Sequence, residues 1–439
     1  MADEGGAAGT APGGPAGGSG AASGAAAGPG VPAAPPDTAS AAPASPAATA
    51  LIAHPYCPPA GFAAPQPPVH KASTVIFPNV AALRARNWRE KTGYTYGLHG
   101  TPTTFTLEAR IATLEGGLHT LLVPSGLAAI ALIDMALLKA GDHVLLPDNV
   151  YGPSKELARH ELAGWGITHA FYDPQEPASL ESAITPATRL VWLEAAGSVT
   201  MEFPDLAALI AIARRRSVTV ALDNTWGAGI AFDPFRIGAN EGGEPLGVDI
   251  SMQALTKYPS GGGDVLMGSV TTRDETLHLR LKFAHMRIGF GVGGNDVEHV
   301  LRSLPSLPLR YAAQDRAGRA LAEWWRGRPE VTQVLHPALA GSPGHDHWRR
   351  LCGGAAGLFS VVFDARFDAR QVDAFVDALR LFRIGYSWAG PVSLVVPYDL
   401  ALLRGAPPGG ATLVRFSVGL EALEDLIADC EQALAVLTR

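Results

Sequence analysis

The chain has 439 residues, 47% of them hydrophobic and 17% charged, with a formal net charge of −7. That length carries two or three domains with a sizeable core, and the acidic balance argues against nucleic acid as the main partner. The longest apolar run, Leu127 to Leu138, is broken by Asp134 and is too short to span a bilayer.

Residues 1–50 are almost entirely Ala, Gly, Pro, Ser and Thr and hold no Lys or Arg. They lack the basic start of a secretory signal and the arginines of a transit peptide, so a disordered tail is expected. From about Leu107 strand-like and helical runs alternate. "HTLLVPS", "DHVLLPD", "ITHAFYD", "ATRLVWLEAA", "VTVALDN" and "VDISMQALTK" read as strands. "GLAAIALIDMALLKAG", "GPSKELARHELAGWG" and "FPDLAALIAIARRRS" read as the helices between them. Strands that are apolar throughout, with helices between, predict an α/β fold whose mostly parallel sheet is covered on both faces. "DVLMGSVTT" predicts a further, antiparallel strand at an edge. After about Leu301 a smaller α+β region follows, with "GLFSVVFDA" and "TLVRFSVGL" as strands and "EALEDLIADCEQALAVLTR" as a closing amphipathic helix. Cys57, Cys352 and Cys430 are scattered, which suits a reducing cytoplasm better than a disulfide framework or a zinc site.

In sheets of this kind ligands bind at the carboxyl ends of the strands. That rule singles out Ser125-Gly126, Tyr151, Asp223 and Lys257. Lys257, in "ALTKYPSGGGD", is a turn lysine on the bland reading. On the sharp one, a partly desolvated amine has a lowered pKa and forms Schiff bases. Asp223, in "VALDNTWGAG", is either a cap or a carboxylate that holds the ring nitrogen of pyridoxal phosphate protonated. Ser125-Gly126-Leu127 opens a helix whose free N–H groups suit a phosphate, and Thr256 offers a hydroxyl beside it. Tyr151 alone reads as a packing residue; with the others it is placed to stack on a pyridine ring. Arg415, in "TLVRFSVGLE", is an arginine inside an apolar strand. It needs an anion, which is either an internal carboxylate or the carboxylate of a substrate.

These residues, in this order, resemble the Cys/Met-metabolism family of pyridoxal-phosphate enzymes, of fold type I, from about Pro67 to the C-terminus. Stretches such as "YTYGLHGTPT", "GSVTMEFPD", "QALTKY" and "GYSWAG" are most similar to its bacterial cystathionine β-lyase branch. The resemblance implies an N-terminal arm at 51–105 that contacts a neighbouring subunit, a cofactor domain at 106–300 and an α+β domain at 301–439. It implies that Lys257 holds pyridoxal 5'-phosphate, Asp223 pairs with its ring nitrogen and Tyr151 stacks on it. Gly126, Leu127 and Thr256 would hold the phosphate, and Tyr96 would reach the phosphate of a neighbouring subunit. Arg415, with Ser387 and Trp388, would bind the α-carboxylate of a small amino-acid substrate. The implied assembly is a cytoplasmic homotetramer, at least a dimer. The implied reaction is α,β-elimination at a cysteine S-conjugate, cystathionine first, with Lys257 moving the α-proton and Lys257 or Tyr151 supplying the proton to the leaving group.

The chain departs from the family pattern at named places. Leu98 stands where the family carries a phosphate-gripping arginine, and His99 beside it would compensate in part when protonated. Ala254 replaces a serine, Gly262-Gly263 replace Gly-His, and Val392-Ser393-Leu394 replace Glu-Ser-Leu. His285 aligns with a tyrosine near the substrate in β-lyases. Two same-scaffold alternatives are a γ-acting relative, opposed by Trp388, and a binding protein on a decayed site, opposed by the full Asp223–Lys257–Arg415 set. "GFGVGG", at Gly289, Gly291 and Gly294, meets the dinucleotide pattern but follows a helix, so a loop is expected. "GHDHWRR" places His345 and His347 in an expected surface loop without a third metal ligand. Glu421, Glu424 and Asp425 read as the acidic start of the last helix.

Overall fold

The computed structural model describes residues 47–52, 60–62, 64–91, 93–239, 242–243, 245–403 and 411–437. Cys57 and most of the expected tail lie outside the described residues. A helix at Ala47–Ile52 overlaps the tail's last four positions, and Leu51 within it is buried, so order begins earlier than the composition predicts.

The main sheet draws on β1 (His119–Val123), β2 (His143–Pro147), β3 (Thr168–Tyr172), β4 (Thr188–Glu194) and β5 (Thr219–Asp223). After a small ribbon of β6 (Gly238–Ala239) and β7 (Pro245–Leu246) it continues with β8 (Ile250–Gln253) and β9 (Gly268–Thr272). The spatial order is β1-β9-β8-β5-β4-β2-β3. From β8 to β3 the neighbours pair parallel, while β9 runs antiparallel to both β1 and β8. The antiparallel strand is therefore second from the edge, not at it: β1 covers its outer side. That correction matters for the site, because β1 then points the same way as β8. The carboxyl ends of β1, β2, β4, β5 and β8 all open on one side.

The apolar run on both faces explains the burial: every residue of β2 and of β8 is buried. Helix Gly126–Leu137 starts where the Ser125 hydroxyl accepts the Ala128 N–H at 3.0 Å, and Asp205 caps helix Leu206–Arg215 in the same way. The run expected as one helix after Tyr151 is α-helical at Gly152–Leu157 and widens to a π-turn at Ala158–Leu162. Helix Pro102–Glu115, boxed at its start by Thr101 and Thr104, brings a buried carboxylate beneath the strand ends. Glu115 accepts from Asn224 Nδ2 (2.9 Å), Ser251 Oγ (2.9 Å) and Gln253 Nε2 (2.7 Å), which ties β5 to β8 where the site residues leave them.

A second sheet is built from β10 (Val331–Leu335), β11 (Leu358–Phe363), β12 (Arg383–Ile384), β13 (Leu394–Asp399) and β14 (Thr412–Ser417), in the order β10-β11-β14-β13-β12. One hydrophobic cluster joins the two sheets: Val191 and Leu222 of the first belong with Leu358 and Leu413 of the second, through Leu307 and Tyr311 of helix Leu307–Arg326. That shared core fixes β14 relative to β5 and β8.

The histidines of "GHDHWRR" lie in a short helix, His345–Leu351, not a loop. Its N-terminal turn is locked by His345 Nδ1 on the Pro337 carbonyl at 2.9 Å. Among the described residues no group of three or more His, Cys, Asp or Glu could hold a metal, and no helix is long and apolar enough to cross a membrane. "GFGVGG" follows helix Glu275–Ile288, with Gly289 closing that helix at φ 87° and Gly294 opening the next. That is a helix-to-helix loop, as its sequence context predicts.

Candidate active site

The strand before Lys257 stops at Gln253, earlier than its sequence pattern predicts, and Leu255–Ser260 forms a tight turn. Hydrogen bonds from Lys257 N to Ala254 O (3.0 Å) and from Gly261 N to Lys257 O (2.9 Å) close that turn. Behind it, Arg310 Nη1 donates to the Tyr258 carbonyl at 2.8 Å. Gly261 sits at φ 65°, and a Cβ there would stand 2.1 Å from Arg310 Nη1. The left-handed backbone favours glycine at this position, and the guanidinium packs closely over it.

Lys257 Nζ donates to Ser387 Oγ at 2.7 Å and lies 5.6 Å from the Trp388 ring centre. Arg415, on β14, donates from Nη2 to the Ser387 carbonyl at 3.2 Å. One residue therefore anchors both cations. Ser387 does so at φ 104°, a conformation that costs a non-glycine residue about 1–3 kcal/mol. Arg415 Nε is sealed from solvent without a hydrogen-bond partner, and no carboxylate among the described residues is within ion-pair distance of the guanidinium. The internal salt bridge left open by the sequence is not formed among those residues, and the guanidinium is available to an outside anion.

Electrostatics reinforce this picture. Burial, and then the Arg415 charge, push the Lys257 amine down to about 8, against the opposing pull of Asp223. Asp223 ends β5, walled in by protein but with part of its surface open to the site. Burial raises its pKa, while bonds from the Thr225 N–H and hydroxyl and the Lys257 charge favour the ionised form. Tyr151 lies just before helix Gly152–Leu157 with its ring 43% exposed, and burial raises its phenol. Gly126 packs against the same turn: a Cβ there would stand 2.6 Å from the Ala254 methyl. The small residue at 254 thus lets a helix N-terminus approach the lysine turn.

Several expected residues take other positions. The Thr256 hydroxyl donates to the Met267 carbonyl (3.2 Å) and accepts the Met267 N–H (3.1 Å), so its hydrogen is committed to the backbone. Tyr96, expected to reach a neighbouring subunit, is 47% exposed, and its ring meets His99 edge-on at 5.8 Å. Leu98 and His99 line a small cavity with Leu122, Lys282, His285 and Phe290. Burial, then Lys282, His285 and Arg86, hold the His99 imidazole below its ordinary range. His285 is buried on helix Glu275–Ile288, with Nε2 donating to the Leu122 carbonyl at 2.9 Å. It serves packing of that helix, not the Lys257 cluster.

Two carboxylates have places that the sequence does not reveal. Glu194 ends β4 beside Asp223 on β5 and accepts the Tyr151 N–H. It carries the signal that marked Asp223, an acid closing a buried strand. Glu421 precedes the last helix, Leu423–Leu434, instead of lying on it. Its oxygens accept the Ser393 N–H and hydroxyl, each at 2.8 Å, which ties the loop after Trp388 to the chain beyond β14.

A lysine amine with a depressed pKa, a carboxylate whose charge it feels, a helix N-terminus packed on the lysine turn, and an arginine without a carboxylate among the described residues together fit pyridoxal phosphate and an amino-acid substrate. Residues 48–435 match the family model described as Cys/Met metabolism PLP-dependent enzyme. The chain is 40% identical over 374 residues to a putative cystathionine beta-lyase of Rhizobium johnstonii, covering 84% of this chain and 91% of that protein. It is 39% identical over 386 residues to the cystathionine beta-lyase of Bordetella avium, covering 87% and 94%. The crystal structure of metB from Corynebacterium glutamicum superposes with a TM-score of 0.81 at 28% identity, over 90% of this chain and 98% of that one.

Proposed function

The chain belongs to the Cys/Met metabolism PLP-dependent enzymes, and from that premise we propose that it is a carbon–sulfur lyase acting by α,β-elimination on a cysteine S-conjugate, cystathionine first. The observation that carries this reading is the convergence of Lys257, Asp223 and Arg415, with Ser387 bonded to both cations. When bound, pyridoxal phosphate supplies a ring that accepts the electrons left at the α-carbon.

Lys257 holds the cofactor and moves the α-proton. Its depressed pKa leaves about a tenth of the amine free to accept that proton at pH 7, far more than an ordinary lysine would offer. Asp223 would pair with the ring nitrogen, and Tyr151 would stack on the ring. Gly126 and Leu127 offer their N–H groups to the phosphate; Thr256 contributes less than its sequence implies, since Met267 takes its hydrogen. Arg415 grips the α-carboxylate through a fork with Ser387 and Trp388 beside it, which fixes the α-hydrogen toward Lys257. Lys257 or Tyr151 returns a proton to the departing sulfur. Homocysteine, pyruvate and ammonia are the products from cystathionine.

We place Tyr96 at a neighbouring subunit's phosphate, in a homotetramer built on pairs, because its exposed ring meets nothing of the lysine cluster in its own chain. Leu98 then offers no charge to that phosphate. Leu98→Arg should slow cofactor release about tenfold, the order expected of one added charge-assisted hydrogen bond; an unchanged dissociation rate would rule this out. The elimination reading itself is checked by supplying cysteine with an activated homoserine ester. A lyase of this kind consumes cystathionine and forms none from that pair, whereas net synthesis would assign a γ-acting enzyme.

A further inference from the structure

Tyr151 poses a mechanical problem. The residue is 43% exposed, so core packing alone does not hold it, and the position before helix Gly152–Leu157 lacks a side-chain cap. The ring's placement therefore depends on its main chain. Among the described residues, the Tyr151 N–H ties that main chain to β4 by donating to Glu194 Oε2 at 2.8 Å, just after the Val150 N–H bonds the Pro147 carbonyl of β2 at 3.1 Å. Glu194 is the last residue of β4, 7% exposed, and lies in register with Asp223 on the adjacent parallel strand.

We propose that Glu194 is a positioning residue of this site, whose carboxyl holds the Tyr151 main chain, and through it the phenol ring, at a fixed place relative to Asp223. The proposal rests on the reading above, in which that ring covers the cofactor. A glutamate in this place has to avoid setting a second negative charge beside Asp223. Burial and the Asp223 charge push its pKa up to about 8, while donors from Ser198 and the Tyr151 N–H work against that rise. The titratable groups facing it are Asp223 on β5, the Tyr151 phenol and the Tyr172 phenol of β3. The raised pKa favours the protonated carboxyl, which still accepts the Tyr151 N–H through its other lone pairs. Because it binds that proton more tightly folded than unfolded, its stabilising contribution is full below its ordinary value of 4.5 and is lost as pH rises toward about 8.

Glu194→Gln keeps the shape, the acceptor and the neutral state, whereas Glu194→Ala removes the acceptor. In the full-length protein loaded with pyridoxal phosphate, amide exchange at the peptide holding Tyr151 should be about tenfold faster in Glu194→Ala and near the parent rate in Glu194→Gln. The same alanine variant should lose about tenfold in kcat, with the circular dichroism of the bound cofactor changed, and glutamine should restore both. Comparing melting temperatures at pH 6 and pH 9, Glu194→Gln should gain on the parent at pH 9, since it has no proton to lose. Parent-like exchange and cofactor dichroism in Glu194→Ala would overturn the positioning role, and a glutamine variant as impaired as the alanine one would overturn the neutral-carboxyl account. If the parent binds no pyridoxal phosphate, the functional reading fails instead; the exchange measurement on the protein as it stands still reads the Tyr151 bond, and parent-like exchange in Glu194→Ala would still overturn the positioning role.

Discussion

Replacing Lys257 with alanine should abolish turnover, with a loss of roughly 10³-fold or more, because both the covalent hold on the cofactor and the proton-moving group go at once. The structure gives a physical reason why this amine is reactive. Moving its pKa from 10.5 to about 8 raises the free-amine fraction at neutral pH on the order of 300-fold. The main cause is burial, which penalises the ammonium, and the nearby Arg415 charge adds to it. The side chain is also held in place, on Ser387 Oγ at one end and by the Arg310-backed turn at the other. The alanine variant should fold, since the turn is closed by main-chain bonds that survive the change. The check is spectroscopic as well as kinetic. A Lys257→Ala protein with the parent's visible absorbance after loading with pyridoxal phosphate would show that another group holds the cofactor.

The second large effect is expected at Arg415. Arg415→Leu should lower kcat/KM for cystathionine by about 10²-fold, the order of a lost bidentate, charge-assisted contact, chiefly through KM. Arg415→Lys should recover only part, because an ammonium cannot make the fork. Stability separates this reading from a structural one. Removing one partner of a buried ion pair strands the other and costs several kcal/mol. Arg415 has no such partner among the described residues, and its Nε lacks even a hydrogen bond. Arg415→Leu should therefore melt at or above the parent temperature. A melting point several degrees lower, with KM unchanged, would make the arginine a strut of the second sheet.

Much of this arrangement was legible in the sequence because its signals are local. Fully apolar strands announce a sheet covered on both faces, and a polar residue just past such a strand marks the open edge, as with Tyr151, Asp223 and Lys257. The order of strands in space was not legible. Placing β9 between β1 and β8 depends on long-range pairing, so it was misjudged as an edge. Glu194 bore the same signal as Asp223 and was passed over, because nothing in one strand reveals what the next presents in register. Glu421 was read from its neighbours Glu424 and Asp425 as part of a helix start; only the fold brings Ser393 to it. Thr256 and His99 show the complementary limit. Their residue types suit a phosphate, but the hydroxyl of one is taken by Met267, and the imidazole of the other is pushed below its ordinary range by burial and neighbouring cations. Donor commitment and local charge are properties of packing, and no motif carries them.

The most direct test of the central claim is the keto acid formed when the protein, loaded with pyridoxal phosphate, is incubated with cystathionine. Elimination across the α and β carbons places the three-carbon skeleton on the product, so pyruvate should accumulate in step with homocysteine and ammonia. Accumulation of 2-oxobutyrate with cysteine would mean that the chain cuts on the other side of the sulfur, and would contradict the β-lyase assignment.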